Sequence, residues 1–341
     1  VSNYPNNWKE IFKNILCPLH YQRFEEYEGL PENLDNVELL TMRFGLIENL
    51  DSFVKNHNDR QVIMLPVAVF LVSLLIIGVM FFSSGSPVKL GMEFEGGSMI
   101  AMTTEDSTDY LEEQYSEFPI QDLRKTGDRV VMQFGPMDSE QQIAIEDEIS
   151  SKYSNVEIRQ IGPVYGESLQ RQALMALLIS FIGMAAVVYL IFRTLVPSFV
   201  VIASAVSDIT IAVALMNLTG IELSFGTVAA LLMIIGYSVD SDILLNNRLL
   251  KRKGNLDEKI TRAMHTGVIM TTTTLSAVVM LYLISTYTYL IIPWISQVSI
   301  LSDISVVLIF GLAADLLNTW VFNTGVLRWH LGKGKGRRSK A

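Results

Sequence analysis

Four aspartates interrupt runs of apolar residues in this sequence: Asp208, Asp240, Asp242 and Asp315. An ionisable side chain inside an apolar run is costly in a bilayer and usually serves a function. No Lys or Arg lies deep in the same runs to neutralise these acids. A buried carboxylate without a cationic partner takes up a proton, which makes the four candidates for a proton relay. Asp240 and Asp242 lie two residues apart, about 200° around a helix, so they cannot share a face. One is expected to face a neighbouring helix and the other the mouth of the bundle. Ser238 and Ser241 beside them, His265 near a helix end, and Thr271 and Thr272 in another apolar run are the polar groups expected to support them. Facing aspartates could also serve an aspartyl protease. The Gly-x-Gly-Asp segment expected of that class is absent.

The elements that position these acids are membrane-length. Half of the 341 residues are apolar and 18% are charged, which together with long apolar blocks argues against a purely soluble chain. About 20 apolar residues span a bilayer. Six runs qualify: 62–82, 173–192, 197–218, 224–245, 266–287 and 303–327. The stretch 288–302, with Tyr289, Pro293 and Trp294, reads as interfacial or re-entrant. Lys and Arg concentrate after the fourth run (Arg248, Lys251, Arg252, Lys253, Lys259, Arg262) and in the tail from Arg328. The positive-inside rule then places both termini in the cytoplasm and residues 83–171 outside. The chain divides into a cytoplasmic segment 1–61, a first span 62–82, an external domain 83–171, spans two to six over 172–328, and a basic tail 329–341. No cleavable leader is read before the first apolar run. Trp8, Ile11, Phe12, Ile15 and Leu16 fall on one helical face within the first segment, suited to a membrane surface or to local packing.

Residues 88–163 carry a different pattern. A strand over 92–101, a helix over 108–115, a hairpin of 120–124 and 130–134 around Thr126-Gly127-Asp128, a helix over 139–153 and a strand over 156–161 give β-α-β-β-α-β, the ferredoxin-like order. That topology names no function. The segment has no His and no Cys, and Cys17 is the only cysteine of the chain, so no disulfide, Cys-based metal site or catalytic constellation is expected. Residues 83–170 contain 17 acidic and 6 basic side chains, which disfavours nucleic acid as a partner. Asn217-Leu218-Thr219 fits a glycosylation sequon but lies against a helix end.

Three motifs carry a resemblance. Leu90-Gly91-Met92-Glu93-Phe94-Glu95-Gly96-Gly97-Ser98, then Ile161-Gly162-Pro163 with Gly166-Glu167, then Leu232-Met233-Ile234-Ile235-Gly236-Tyr237-Ser238-Val239-Asp240 are similar to segments of the SecD/SecF family, in its archaeal branch. The resemblance covers about residues 62–330. It implies a polytopic α-helical membrane protein of the RND superfamily, with six transmembrane helices and an external α+β ferredoxin-like domain. It marks Phe94, Gly96, Gly97, Gly162, Pro163, Gly236 and Tyr237 as family-motif residues. It further implies a non-enzymatic subunit of the Sec protein-export machinery, paired with SecD beside the translocon, contacting the translocating polypeptide and membrane lipids, coupled to the proton gradient and needing no cofactor or metal. Bacterial members carry Asp at the position of Ser241 and Arg at that of Thr266; here Asp240 and Asp242 flank the former and His265 adjoins the latter. An RND-type lipid or small-molecule transporter subunit is the alternative, distinguished by self-assembly in place of a SecD partner.

Overall fold

The computed structural model describes residues 45–251, 255–291 and 299–330. The amphipathic stretch 8–16, Arg252, Lys253, most of the stretch 288–302 and the tail beyond His330 lie outside the described residues. Where 288–302 is described, it is helical at both ends.

A helix α1 (Gly45–Asn56) precedes α2 (Asp59–Ser84), the first of six described helices long and apolar enough to cross a membrane. A short turn α3 (Met92–Glu95) leads into β1 (Gly97–Thr103), α4 (Thr108–Gln114), β2 (Ile120–Thr126), β3 (Arg129–Phe134), α5 (Ser139–Lys152) and β4 (Ser154–Ile161). Five membrane-length helices follow: α6 (Pro163–Phe192), α7 (Leu195–Thr219), α8 (Phe225–Lys251), α9 (Leu256–Ile291) and α10 (Ser299–Leu317). The last continues through a π-turn, Asn318–Asn323, and further helix to His330. Most of these helices have apolar residues on all sides, as expected of elements facing lipid and neighbours at once.

The four strands are antiparallel in the order β2-β3-β1-β4, the ferredoxin-like sheet. Alternation along β3 sends Val130, Met132 and Phe134 inward, onto Ile100, Met102, Leu111, Tyr115, Ile145 and Ile149. Ser107 and Asp138 cap α4 and α5 by accepting the backbone N–H of Tyr110 and Gln141. Tyr153 donates to Asp106 at 2.9 Å; burial first, and then that hydrogen bond, raises its pKa well above the usual tyrosine value.

The expected strand over 92–101 begins late. Met92–Glu95 is a helical turn in which Met92 and Phe94 are both buried, Phe94 against the membrane helices. Phe94 is fully buried beside Leu169 and Val228 and meets Phe225 edge-on at 5.2 Å. The segment leaving that turn is extended only from Gly97, whose φ of 142° favours glycine. A Cβ there would stand 2.2 Å from the Phe134 carbonyl oxygen on the paired strand. Gly97→Ala is therefore expected to destabilise the domain by about 2–3 kcal/mol, read as faster amide exchange in β1 and β3 with the membrane helices unchanged.

The second spanning helix starts ten residues before its apolar run. Gly162 is its N-cap and Pro163 occupies the first turn, where a missing N–H costs nothing. The polar stem, residues 163–172, ties the domain to the bundle: Gln170 donates to the Phe94 carbonyl at 2.7 Å, and Gly166 lets that backbone approach, since a Cβ would lie 2.6 Å from the same oxygen. A second tie forms where Gly91 N–H donates to the Leu223 carbonyl and Leu223 N–H donates to the Lys89 carbonyl, with Lys89 paired to Glu222 at 2.8 Å.

Candidate functional site

Three of the four aspartates meet in the centre of the bundle. Asp208 on α7, Asp242 on α8 and Asp315 on α10 are 0%, 0% and 1% exposed. A buried carboxylate must be hydrogen-bonded, and the partners come from two helices. Ser238 of α8 donates to Asp208 Oδ2 at 2.5 Å. Asn318, at the start of the π-turn, donates to Asp208 Oδ1 at 2.7 Å and to Ser207 at 2.9 Å. Thr319 and Asn323 both reach Asp242 Oδ1, at 2.8 and 2.6 Å. Thr319 also lies 2.8 Å from Asp315 Oδ1, and Ser241 lies 3.0 Å from Asp315 Oδ2. Thr319 thus joins Asp242 to Asp315, while Asp208 is held by its own pair, Ser238 and Asn318. Among the described residues no Lys, Arg or His side chain forms a hydrogen bond or ion pair with these acids.

The hydroxyl count is tight. A hydroxyl donates one hydrogen. Thr319 faces two carboxyl oxygens, and Ser241 faces Asp315 Oδ2 and the Tyr237 carbonyl, 3.2 Å away. Each has two acceptors for a single hydrogen.

Asp240 does not join the cluster. It lies on the exposed face of α8 with no hydrogen-bond partner among the described residues. Gly236, Tyr237 and Met233 share that exposure. A Cβ added at Gly236 would meet no atom within 4 Å.

The support expected from the fifth run is absent. Thr272 donates to the Val268 carbonyl of its own helix at 2.5 Å, and Thr273, Thr274 and Ser276 likewise bond to their own backbone. Thr271 is buried without a bond to any of the acids, and His265 is exposed. A Thr or Ser in mid-helix finds the carbonyl one turn back before it finds a neighbour helix. The place is taken by Asn318, Thr319 and Asn323, which the sequence reading did not select. The signal was their spacing after Asp315, concealed by the register change: an α-helix puts residue 322 beside 315 and 319, whereas the wider π-turn puts 323 there. The Thr324 hydroxyl donates to the Thr319 carbonyl, five residues back, at 3.2 Å.

Among the family-motif residues, Phe94, Gly96, Gly97, Gly162 and Pro163 lie at the junction of the domain and the bundle, and Gly236 and Tyr237 lie on the exposed face of α8. Among the described residues no group of three or more His, Cys, Asp or Glu side chains is placed to hold a metal ion.

Residues 141–333 match the family "Protein export membrane protein SecD/SecF, C-terminal". The "Protein-export membrane protein SecF" of Methanolacinia petrolearia is 40% identical over 281 residues, covering 82% of this chain and 97% of that protein. Those of Haloferax volcanii and Pyrococcus furiosus are 42% and 39% identical, over 82% of this chain and 96% and 94% of theirs. The fold is similar to a crystal structure of SecDF, a translocon-associated membrane protein, from Thermus thermophilus (TM-score 0.63, 20% identity), covering 91% of this chain and 41% of that one. It is also similar to SecDF in a super-membrane-facing form (TM-score 0.54, 24% identity), over 84% of this chain and 40% of that one.

Proposed function

The chain belongs to the SecD/SecF family of protein-export membrane proteins, and from that premise we propose that it is a non-enzymatic export subunit that uses an ion gradient through Asp208, Asp242 and Asp315. The observation that carries the proposal is the set of three buried acids across α7, α8 and α10, with Asp242 and Asp315 sharing the Thr319 hydroxyl and Asp208 held by Ser238 and Asn318. A proton held on Asp315 supplies the missing donor: Asp315 donates to Thr319, and Thr319 donates to Asp242. Removing that proton leaves two carboxylates competing for one hydroxyl, so protonation is linked to the packing of the π-turn against α8. One charge crossing a 100 mV potential provides about 2.3 kcal/mol, enough to move a helix contact of this kind.

In this reading both termini are cytoplasmic and the ferredoxin-like domain is external, as the Lys and Arg asymmetry favours. The domain meets the emerging polypeptide, and its ties to α6 and to the loop before α8 pass bundle movements outward.

The partner is a SecD-type six-helix chain seated on the exposed face of α8. An aspartate facing lipid without a partner is untenable, and Gly236 leaves room for a close helix. Stoichiometric recovery of a SecD-type chain with this one in mild detergent is expected. Gly236→Leu, which leaves the helix itself favourable, is expected to cut that recovery by about ten-fold, an amount worth about 1.4 kcal/mol.

A second reading, an RND-type lipid or small-molecule transporter subunit, is favoured by an apolar cavity of about 480 Å³ between α2, α7 and the π-turn, lined by Phe70, Phe199, Val206 and Phe322. Recovery of the chain as a homo-oligomer with bound lipid, without a SecD-type partner, would favour this reading and count against export.

A further inference from the structure

Between α2, α7 and the π-turn runs an apolar groove that the export reading leaves unused. Its inner part, about 480 Å³, has Ala203 and Ser207 of α7 and Pro66 of α2 in its lining. Residues four apart stand one above the other on a helix, so α7 offers nothing longer than a hydroxymethyl group there. Phe70, Phe199 and Phe322 supply the bulk around it. A second cavity of about 470 Å³ continues toward the start of α7, along Leu195, Val200 and Val326, and shares Phe199, Ala203 and Phe322 with the first. Leu195 and Phe199 are 76% and 70% exposed, so the groove lies open along the side of the bundle.

The groove is one leaflet long. From Leu195 to Ser207 the helix rises about 18 Å, against about 15 Å for half of the hydrocarbon core. Its inner end is Ser207 and Asn318, and Asn318 already donates to Ser207 at 2.9 Å and to Asp208 at 2.7 Å. The rest of the lining is apolar, which suits hydrocarbon and offers little to a ligand that needs hydrogen bonds. The opposite end is basic. Arg193 stands two residues before Leu195, and Arg60 stands seven residues before Val67 and so on the same face of α2. Both arginines are exposed, and among the described residues neither guanidinium has a hydrogen bond or an ion pair.

We propose that the groove holds one hydrocarbon chain of an anionic phospholipid, drawn from the leaflet at which α2 and α7 begin, with its phosphate at Arg60 and Arg193. A guanidinium recognises a phosphate through two parallel hydrogen bonds. A slot one leaflet long, apolar within and cationic at its mouth, matches a charged headgroup on an apolar tail. Seated there, the chain packs on Phe322 of the π-turn and covers Ser207 and Asn318. The lipid is a resident component and is not carried across the membrane, so the site depends on neither the export nor the transporter reading.

The test is native mass spectrometry of the full chain, stripped of lipid in mild detergent and titrated with phosphatidylglycerol or phosphatidylcholine. One phosphatidylglycerol per chain is expected to bind saturably, at least about ten-fold more tightly than phosphatidylcholine. Ala203→Phe puts a ring into the groove and should weaken binding of both lipids by at least about ten-fold, with an unchanged unfolding midpoint in lipid-free detergent. Ala203→Leu, a smaller plug, should weaken both to a lesser extent. Arg60→Gln combined with Arg193→Asn, the latter suited to the left-handed backbone at φ 51°, should erase the preference for phosphatidylglycerol and leave phosphatidylcholine binding as it was. Equal, unsaturable uptake of both lipids, or undiminished binding in both Ala203 variants, would overturn the site. So would a co-purifying protein that Ala203→Phe releases while lipid binding persists, because the groove would then belong to a partner helix. None of these readouts uses export, so failure of the lipid site and failure of the export reading are separable.

Discussion

In an export assay, Asp242→Asn is expected to lose the gradient-stimulated part of the rate, by at least about ten-fold, while Asp240→Asn stays within about two-fold of the unsubstituted chain. The two residues share a helix and a chemistry and differ in where they point. Asp242 is fully buried and receives Thr319 and Asn323. Asp240 is exposed and receives nothing from the described residues. The Asp242→Asn side chain keeps its size and an oxygen for Thr319 and Asn323. The fold should therefore survive, and the loss should be in coupling. A ten-fold loss corresponds to about 1.4 kcal/mol, within the about 2.3 kcal/mol that one charge contributes per 100 mV. Wild-type-like export by Asp242→Asn, together with Asp208→Asn, would remove the cluster from the mechanism.

The largest steric effect is expected at Gly267 of α9. A Cβ there would lie 2.0 Å from Cζ2 and 2.4 Å from Cη2 of Trp320. Trp320 is fully buried among Val54, Val62, Leu245, Met264, Val268 and Leu327 and has no room to withdraw. It also stands in the π-turn, between Thr319 and Asn323. Gly267→Ala is expected to cost about 3 kcal/mol and to displace the residues that hold Asp242. Trp320→Phe, with its smaller ring, should recover more than half of that loss when combined with Gly267→Ala, a coupling readable in a double-mutant cycle. Additive effects in the cycle would mean that the two side chains do not meet.

The hydrophobic runs located the six spans because length and apolarity alone decide them. The helix ends were less legible. The apolar pattern stops at residue 173, yet α6 begins at Pro163 because the N-cap Gly162 and the first-turn proline continue the helix into a polar stem. The ferredoxin-like order could be read from the Thr126-Gly127-Asp128 turn and the strand alternation around it. The turn at Met92–Glu95 could not, since apolar residues at 92 and 94 suit a strand equally well and only the packing of Phe94 on Leu169 and Val228 selects the helix.

The acids were conspicuous as charges in apolar runs, but their neighbours depended on tertiary register. Thr271 and Thr272 were reasonable partners by type, and Thr272 bonds its own helix instead. Asn318, Thr319 and Asn323 become partners only because the last span widens into a π-turn. No periodicity in the surrounding apolar residues announces that change.

The most direct test of the central claim is preprotein translocation in membrane vesicles containing either the unsubstituted chain or Asp242→Asn, each with and without an ionophore that collapses the gradient. The ionophore is expected to slow the unsubstituted vesicles to the rate of the variant and to leave the variant unchanged. An equal slowing of both by the ionophore would contradict it, because the gradient would then act on export without passing through Asp242.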